Sequence, residues 1–109
     1  MTRSPTTDAS TGLVTDLYQL TMAYAYWKKG IAEREAVFHL SFREQPFTGS
    51  FCLCCGLQSA LDFLANWHFD PTDLRYLETL TDQTGNRLFP NDFLDYLSGL
   101  HYTGDIEAI

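Results

Sequence analysis

Thr15-Asp16-Leu17-Tyr18-Gln19-Leu20-Thr21-Met22-Ala23-Tyr24-Ala25-Tyr26-Trp27-Lys28-Lys29-Gly30 has the layout of one complete helix, from about Asp16 to Lys29. Thr15 is a plausible N-cap, and Asp16 suits the positive end of the helix. Lys28 and Lys29 fall in the last turn, and Gly30 stands where a C′ glycine belongs. Leu17, Leu20, Tyr24 and Trp27 make one stripe at helical spacing. Tyr18, Met22, Ala25 and Tyr26 cover much of the remainder, and only Gln19 and Thr21 are polar in the middle. A helix apolar nearly all round has to be buried on more than one side. A chain of 109 residues has difficulty enclosing it alone, so more polypeptide or a second subunit is expected to cover it.

The residues that follow predict an α+β fold. Ala36 to Phe42 alternates, with Ala36, Phe38, Leu40 and Phe42 on one side and Val37, His39 and Ser41 on the other, the pattern of a strand. A loop with Pro46 and Gly49 leads to a second strand, Phe51 to Cys55, apolar on both faces. The two are placed to pair as a hairpin. Gly56 opens a helix over 57–67, with Leu57, Ala60, Leu61, Leu64 and Ala65 on its apolar face. Asp70 and Pro71 start a third helix that turns Leu74, Leu77 and Leu80 inward. After a polar loop from Thr81 to Arg87, Pro90, Asn91 and Asp92 open a fourth helix with Phe93, Leu94 and Leu97 as its apolar face and Gly99 at its end. Gly104 to Ile109 alternates again as a terminal strand. Residues 1–12, rich in Thr and Ser, read as a flexible lead-in, and 13–109 as one incomplete domain. The chain is expected to be a fragment of a larger protein or one piece of an assembly.

Composition narrows the function. The chain is 45% hydrophobic and 15% aromatic, which rules out wholesale disorder. Its formal net charge of −7 disfavours nucleic acid and anionic membrane surfaces as partners. Small anions remain eligible, since a few convergent Arg and backbone N–H groups hold one phosphate. The longest apolar run, Phe51 to Leu57, is too short to span a bilayer, and the polar N-terminus is no secretory signal, so a cytoplasmic location is expected. Cys52, Cys54 and Cys55 have neither disulfide nor zinc spacing and read as small buried side chains on a strand. His39, His68 and His101 lie at unrelated positions without placed partners, so none is taken as catalytic. Glycine-rich phosphate loops, a His-Glu-x-x-His helix and a Gly-x-Ser-x-Gly elbow are all missing.

A resemblance supplies what motif chemistry does not. Residues 15–27 resemble the opening of nicotinate phosphoribosyltransferases. The similarity continues through Ala36 to Arg43, Pro46-Phe47, Gly49, Cys55-Gly56-Leu57, Phe89 to Leu97 and Gly104-Asp105, in order and without large gaps. The resemblance implies a type II phosphoribosyltransferase whose N-terminal α/β sandwich-type domain precedes an irregular α/β barrel, here lying beyond the chain. It implies transfer of the phosphoribosyl group of 5-phosphoribosyl 1-diphosphate to nicotinate, coupled to ATP with Mg2+, on the way to NAD. It also implies a homodimer with its active site at the subunit interface, and a catalytic histidine downstream of these residues.

Two residues match site residues of the family, and a third is a candidate beside them. Tyr18 matches a tyrosine that stacks on the pyridine ring from the neighbouring subunit, and aromatic stacking suits a flat ring acid. On the residues alone, Tyr18 reads first as one more core aromatic on a crowded helix, and the resemblance turns the reading to stacking. Arg43 matches an arginine that approaches a substrate phosphate, for which guanidinium geometry is suited. Its alternative is a surface ion pair with Glu44 or another acid. Asp16 is a third candidate, first for a structural role at the helix start and secondarily for orienting Tyr18 or Arg43. No metal ligand is assigned, and the isolated chain is expected to be inactive. The rival reading is a non-catalytic α+β module that binds a partner through its apolar first helix.

Overall fold

The computed structural model describes residues 11–108. Its elements are four helices, α1 (Leu17–Lys28), α2 (Leu57–Ala65), α3 (Pro71–Glu78) and α4 (Asn91–Ser98), and a 3-10 turn at Pro46–Thr48. Each α-helix lies where the sequence pattern sets it, and the caps explain the boundaries. α1 starts one residue later than a Thr15 cap would give. Asp16 is the N-cap, in a capping box with Gln19, whose Oε1 accepts from the Asp16 N–H at 2.9 Å. Thr15, just outside, donates its hydroxyl to the same Gln19 oxygen. At the other end the Gly30 N–H reaches Trp27 O at 3.0 Å and the Ile31 N–H reaches Tyr26 O at 3.0 Å. That pair is a Schellman motif, and it sets Gly30 at φ +75, where a side chain is strained. α3 is closed by a reciprocal pair: Asp70 accepts from the Asp73 N–H at 2.9 Å, and Asp73 from the Asp70 N–H at 3.0 Å.

The core is small and lies mostly in the C-terminal half. Leu20, Phe69, Leu77, Phe89, Phe93, Leu94 and Leu97 are buried, with Leu13, Ala23, Tyr24, Trp27, Leu74 and Leu80 packed partly against them. α3 rests on α4, and α1 lies across α4 through its rings. Phe93 sits 5.2 Å from Tyr24, 5.5 Å from Trp27 and 5.6 Å from Phe89, centroid to centroid. Burial of each such side chain contributes about 1.5–3 kcal/mol, and the ring pairs add about 0.5–1.5 kcal/mol apiece. Gly12, at the edge of the expected lead-in, is itself buried. Its N–H donates to His68 O at 2.8 Å, and a Cβ there would lie 2.5 Å from the Phe69 ring. The rest of the lead-in, residues 1–10, lies outside the described residues. Between α3 and α4, Thr81 and Arg87 form an isolated antiparallel bridge. Asp82 holds the turn together, accepting from the Thr84 and Asn86 N–H groups and from the Thr84 hydroxyl.

The strands are where the sequence pattern and the structure part. Residues 36–42, 51–55 and 104–108 carry no regular secondary structure and no ladder partner, and no hairpin joins the first two. Ile109 lies outside the described residues. A strand needs a ladder partner and a covered face, and among the described residues these segments have neither. Phe38 and Leu40 are 88% and 94% exposed. The thiols follow the same correction: Cys54 and Cys55 are exposed and Cys52 is half-buried. α2 forms, but its apolar stripe is not buried, and Leu57 and Leu61 face water. The α/β sandwich is therefore not assembled from these residues alone. The dimensions agree. The radius of gyration is 17.0 Å, against about 13 Å for a compact domain of this length. The accessible surface is 9478 Å², against about 6,100 Å² for a compact monomer of this mass.

Candidate functional site

α1 has two opposite faces, set by the 100° step of the helix. Leu20, Ala23, Tyr24 and Trp27 turn toward the core. Tyr18, Met22 and Tyr26, four residues apart, form the stripe on the other side, and all three are exposed. Tyr18 is 59% exposed. It is therefore not a core aromatic, and its ring is available to a ligand or to another polypeptide. Its backbone carbonyl accepts from the Thr21 hydroxyl at 2.9 Å, a bond within the helix that leaves the phenol untouched. The stripe opposite the core is the part of α1 that the expectation of further cover describes.

Asp16 is placed by its capping role at the mouth of α1, two residues before Tyr18 at the same end of the helix. Arg43 lies elsewhere, exposed at a bend just after residue 42. No hydrogen bond or ion pair among the described residues joins Arg43 to Asp16, Tyr18 or Glu44. The ion pair with Glu44 is thus not formed, and the guanidinium is presented to solvent. The loop after Arg43 is tight. Phe47 and Thr48 both have left-handed backbone, at φ 57 and φ 56, and the Gly49 N–H closes the turn on Pro46 O at 3.0 Å. The Cys52 thiol approaches Glu44 O at 4.0 Å across its base.

Among the described residues, the remaining polar groups assemble no reactive centre. His68 and His101 place Nδ1 against the carbonyl oxygens of Asn66 and Gly99, at 2.7 Å and 3.1 Å. Among the described residues no group of three or more His, Cys, Asp or Glu could hold a metal ion. An open cleft of about 320 Å³ between α3 and α4 is lined by Leu74, Arg75, Glu78, Asn91, Leu94 and Asp95. None of the three candidate residues borders it. One polar link was invisible in the sequence. The Tyr96 hydroxyl donates to Glu33 Oε1 at 2.9 Å across 63 residues, and no spacing or motif signals it.

A family model described as the nicotinate phosphoribosyltransferase (NAPRTase) N-terminal domain matches residues 13–109. The chain belongs to this family. It is 40% identical to a nicotinate phosphoribosyltransferase of Caenorhabditis elegans over 97 residues, covering 89% of this chain and 17% of the relative. It is 45% identical to that of Bacillus subtilis over 71 residues, covering 65% of this chain and 14% of the relative. With nicotinate phosphoribosyltransferase 1 of Arabidopsis thaliana it shares 39% identity over 104 residues, 95% of this chain and 18% of the relative. The chain thus spans less than a fifth of the length of these nicotinate phosphoribosyltransferases. No solved structure matches it. No helix among the described residues is long and apolar enough to cross a membrane.

Proposed function

We propose that this chain is the N-terminal part of a nicotinate phosphoribosyltransferase and lines one wall of its active site. The single observation that carries the reading beyond the family match is the exposure of Tyr18 on the face of α1 turned away from the core. In the whole protein, that face meets the pyridine ring of nicotinate across a homodimer interface. Arg43 faces a phosphate of 5-phosphoribosyl 1-diphosphate, and Asp16 holds the start of α1. The bond from the pyridine nitrogen to the anomeric carbon forms as the bond to diphosphate breaks. Charge develops on the ribose and on the departing diphosphate, so positioning and charge placement govern the rate.

These residues neither donate nor accept the reacting proton. Tyr18 restricts the ring by stacking, and Arg43 offsets negative charge by bidentate contact. ATP and Mg2+ are used by the remainder of the enzyme. Segments 36–42 and 51–55 become strands of the α/β sandwich when the rest of the polypeptide supplies their ladder partners. The enzyme is cytoplasmic, and the isolated chain is inactive.

The exposed apolar surface also fits the rival, a non-catalytic module that binds a partner through α1. One experiment separates them: turnover by this chain and by its full-length parent, with nicotinate and nicotinamide each offered. The enzyme reading expects the parent to convert nicotinate with release of pyrophosphate and the isolated chain to be silent. A parent that converts neither base refutes it.

A further inference from the structure

The exposure of Tyr18 is only half of what a stacking residue needs, because its direction must also be fixed. α1 carries Tyr18 on one face and Trp27 on the other, so any roll of this three-turn helix moves both together. Trp27 is the handle. Its ring lies 5.5 Å from Phe93 and 6.3 Å from Tyr96, and Tyr96 in turn stacks on Phe93 at 6.2 Å with 22° between the planes. Phe93 is fully buried and cannot swing. Tyr96 is at the rim of the core, and its ring is tied at the far end by the 2.9 Å bond to Glu33. Glu33 belongs to the turn just after the Schellman end of α1. The contact therefore closes a loop: α1, its exit turn, Glu33, Tyr96, Trp27 and back to α1.

From this closed circuit we infer that Tyr96 is a positioning residue for Tyr18, setting the roll of α1 through Trp27 and through the tether to Glu33. For the reaction, this rests on the reading of Tyr18 as the stacking residue. The geometry sets the scale. A roll of about 10° moves a ring tip 5–6 Å from the helix axis by about 1 Å. A misplacement of that size is enough to cost up to about 100-fold in a reaction governed by orientation. Burial, then the hydrogen bond and charge of Glu33, push the Tyr96 hydroxyl above its ordinary value, so the donor keeps its proton.

The test uses the full-length protein and three variants away from the substrate: Tyr96→Phe, Glu33→Leu and Glu33→Gln. Tyr96→Phe and Glu33→Leu are expected to raise KM for nicotinate about fivefold, with kcat and the KM for 5-phosphoribosyl 1-diphosphate within twofold. Glu33→Gln keeps an acceptor and is expected to restore the parental KM. An unchanged KM for nicotinate in Tyr96→Phe and Glu33→Leu, or a uniform fall of all parameters tracking a lower Tm, overturns the inference. Glu33 is exposed, so Glu33→Leu tests the tether without endangering the core. A second readout is independent of turnover. With 3-fluorotyrosine incorporated, the Tyr18 fluorine resonance is expected to shift in Tyr96→Phe and Glu33→Leu and to return in Glu33→Gln. An unmoved resonance overturns the positioning role even if KM changes. A shifted resonance in a parent that converts neither base leaves the positioning intact and removes the proposed function instead.

Discussion

Gly12→Ala is the sharpest perturbation of the fold. The new Cβ would lie 2.5 Å from Phe69 Cδ1 and 2.7 Å from His68 O, closer than real contacts allow. Neither neighbour yields easily. Phe69 is buried and packed edge-on against Trp67 at 5.2 Å, and His68 O is backbone and accepts the Gly12 N–H. Overpacking costs about 1–3 kcal/mol. Stretching the hydrogen bond to His68 adds about 1 kcal/mol. The expected loss is about 2–4 kcal/mol, or a fall in Tm of at least about 8 °C for a domain of this size. Urea titration followed by tryptophan fluorescence reads it, since Trp67 sits beside the clash. Phe69→Leu in the Gly12→Ala background is expected to cost less than the two single changes together, the signature of a shared contact. A loss under about 0.5 kcal/mol for Gly12→Ala would mean that Gly12 is not packed on Phe69, because that is the range of an ordinary surface change.

Three further outcomes follow from the same structure. Phe93→Ala should cost about 3–5 kcal/mol by urea titration of the chain, whereas Phe38→Ala, at an exposed ring, should stay within about 0.5 kcal/mol. The Asp82 carboxyl is held below its ordinary 3.8, chiefly by the Thr84 hydroxyl, against a smaller opposing effect of desolvation. A lowered carboxylate value stabilises the turn above the unfolded value and loses that contribution as pH falls through the folded one. NMR titration should show the Asp82 carboxyl below 3.8 and rising in Thr84→Val. In the full-length enzyme, Tyr18→Ala should raise KM for nicotinate at least about tenfold with little change in Tm, and Arg43→Ala should chiefly harm use of 5-phosphoribosyl 1-diphosphate. Unchanged kinetics in both variants would remove these assignments.

The helices were legible because their signals are local. The Asp70-Pro71 start, the Gly30 stop and the Phe93, Leu94, Leu97 face each act within a few residues, and the structure places all of them. The strands were legible as patterns only. Alternation at 36–42 states which side chains want cover, but the hydrogen-bond partner that makes a strand has to come from another segment. The same limit explains Cys52 to Cys55, whose expected burial depended on a sheet that these residues do not form by themselves. Gly12 was read with the polar stretch that precedes it, while its constraint comes from Phe69, 57 positions away. For the candidate site, helical spacing alone separated Tyr18 from Leu20 and Trp27 but did not say which stripe the core takes. That depends on Phe89 and Phe93, far along the chain.

The unpaired segment from Ala36 to Cys55 has a consequence for biosynthesis. It is long, aromatic, carries few charges and shows open backbone edges, the profile of a chain that self-associates through intermolecular strands. α1, α3 and α4 hold a core of their own and have no need of this segment to pack. A cell making the protein therefore handles a stretch that is half folded and half adhesive at the ribosome exit. Phe38, Leu40, Phe51 and Leu53 are the side chains through which such association would start.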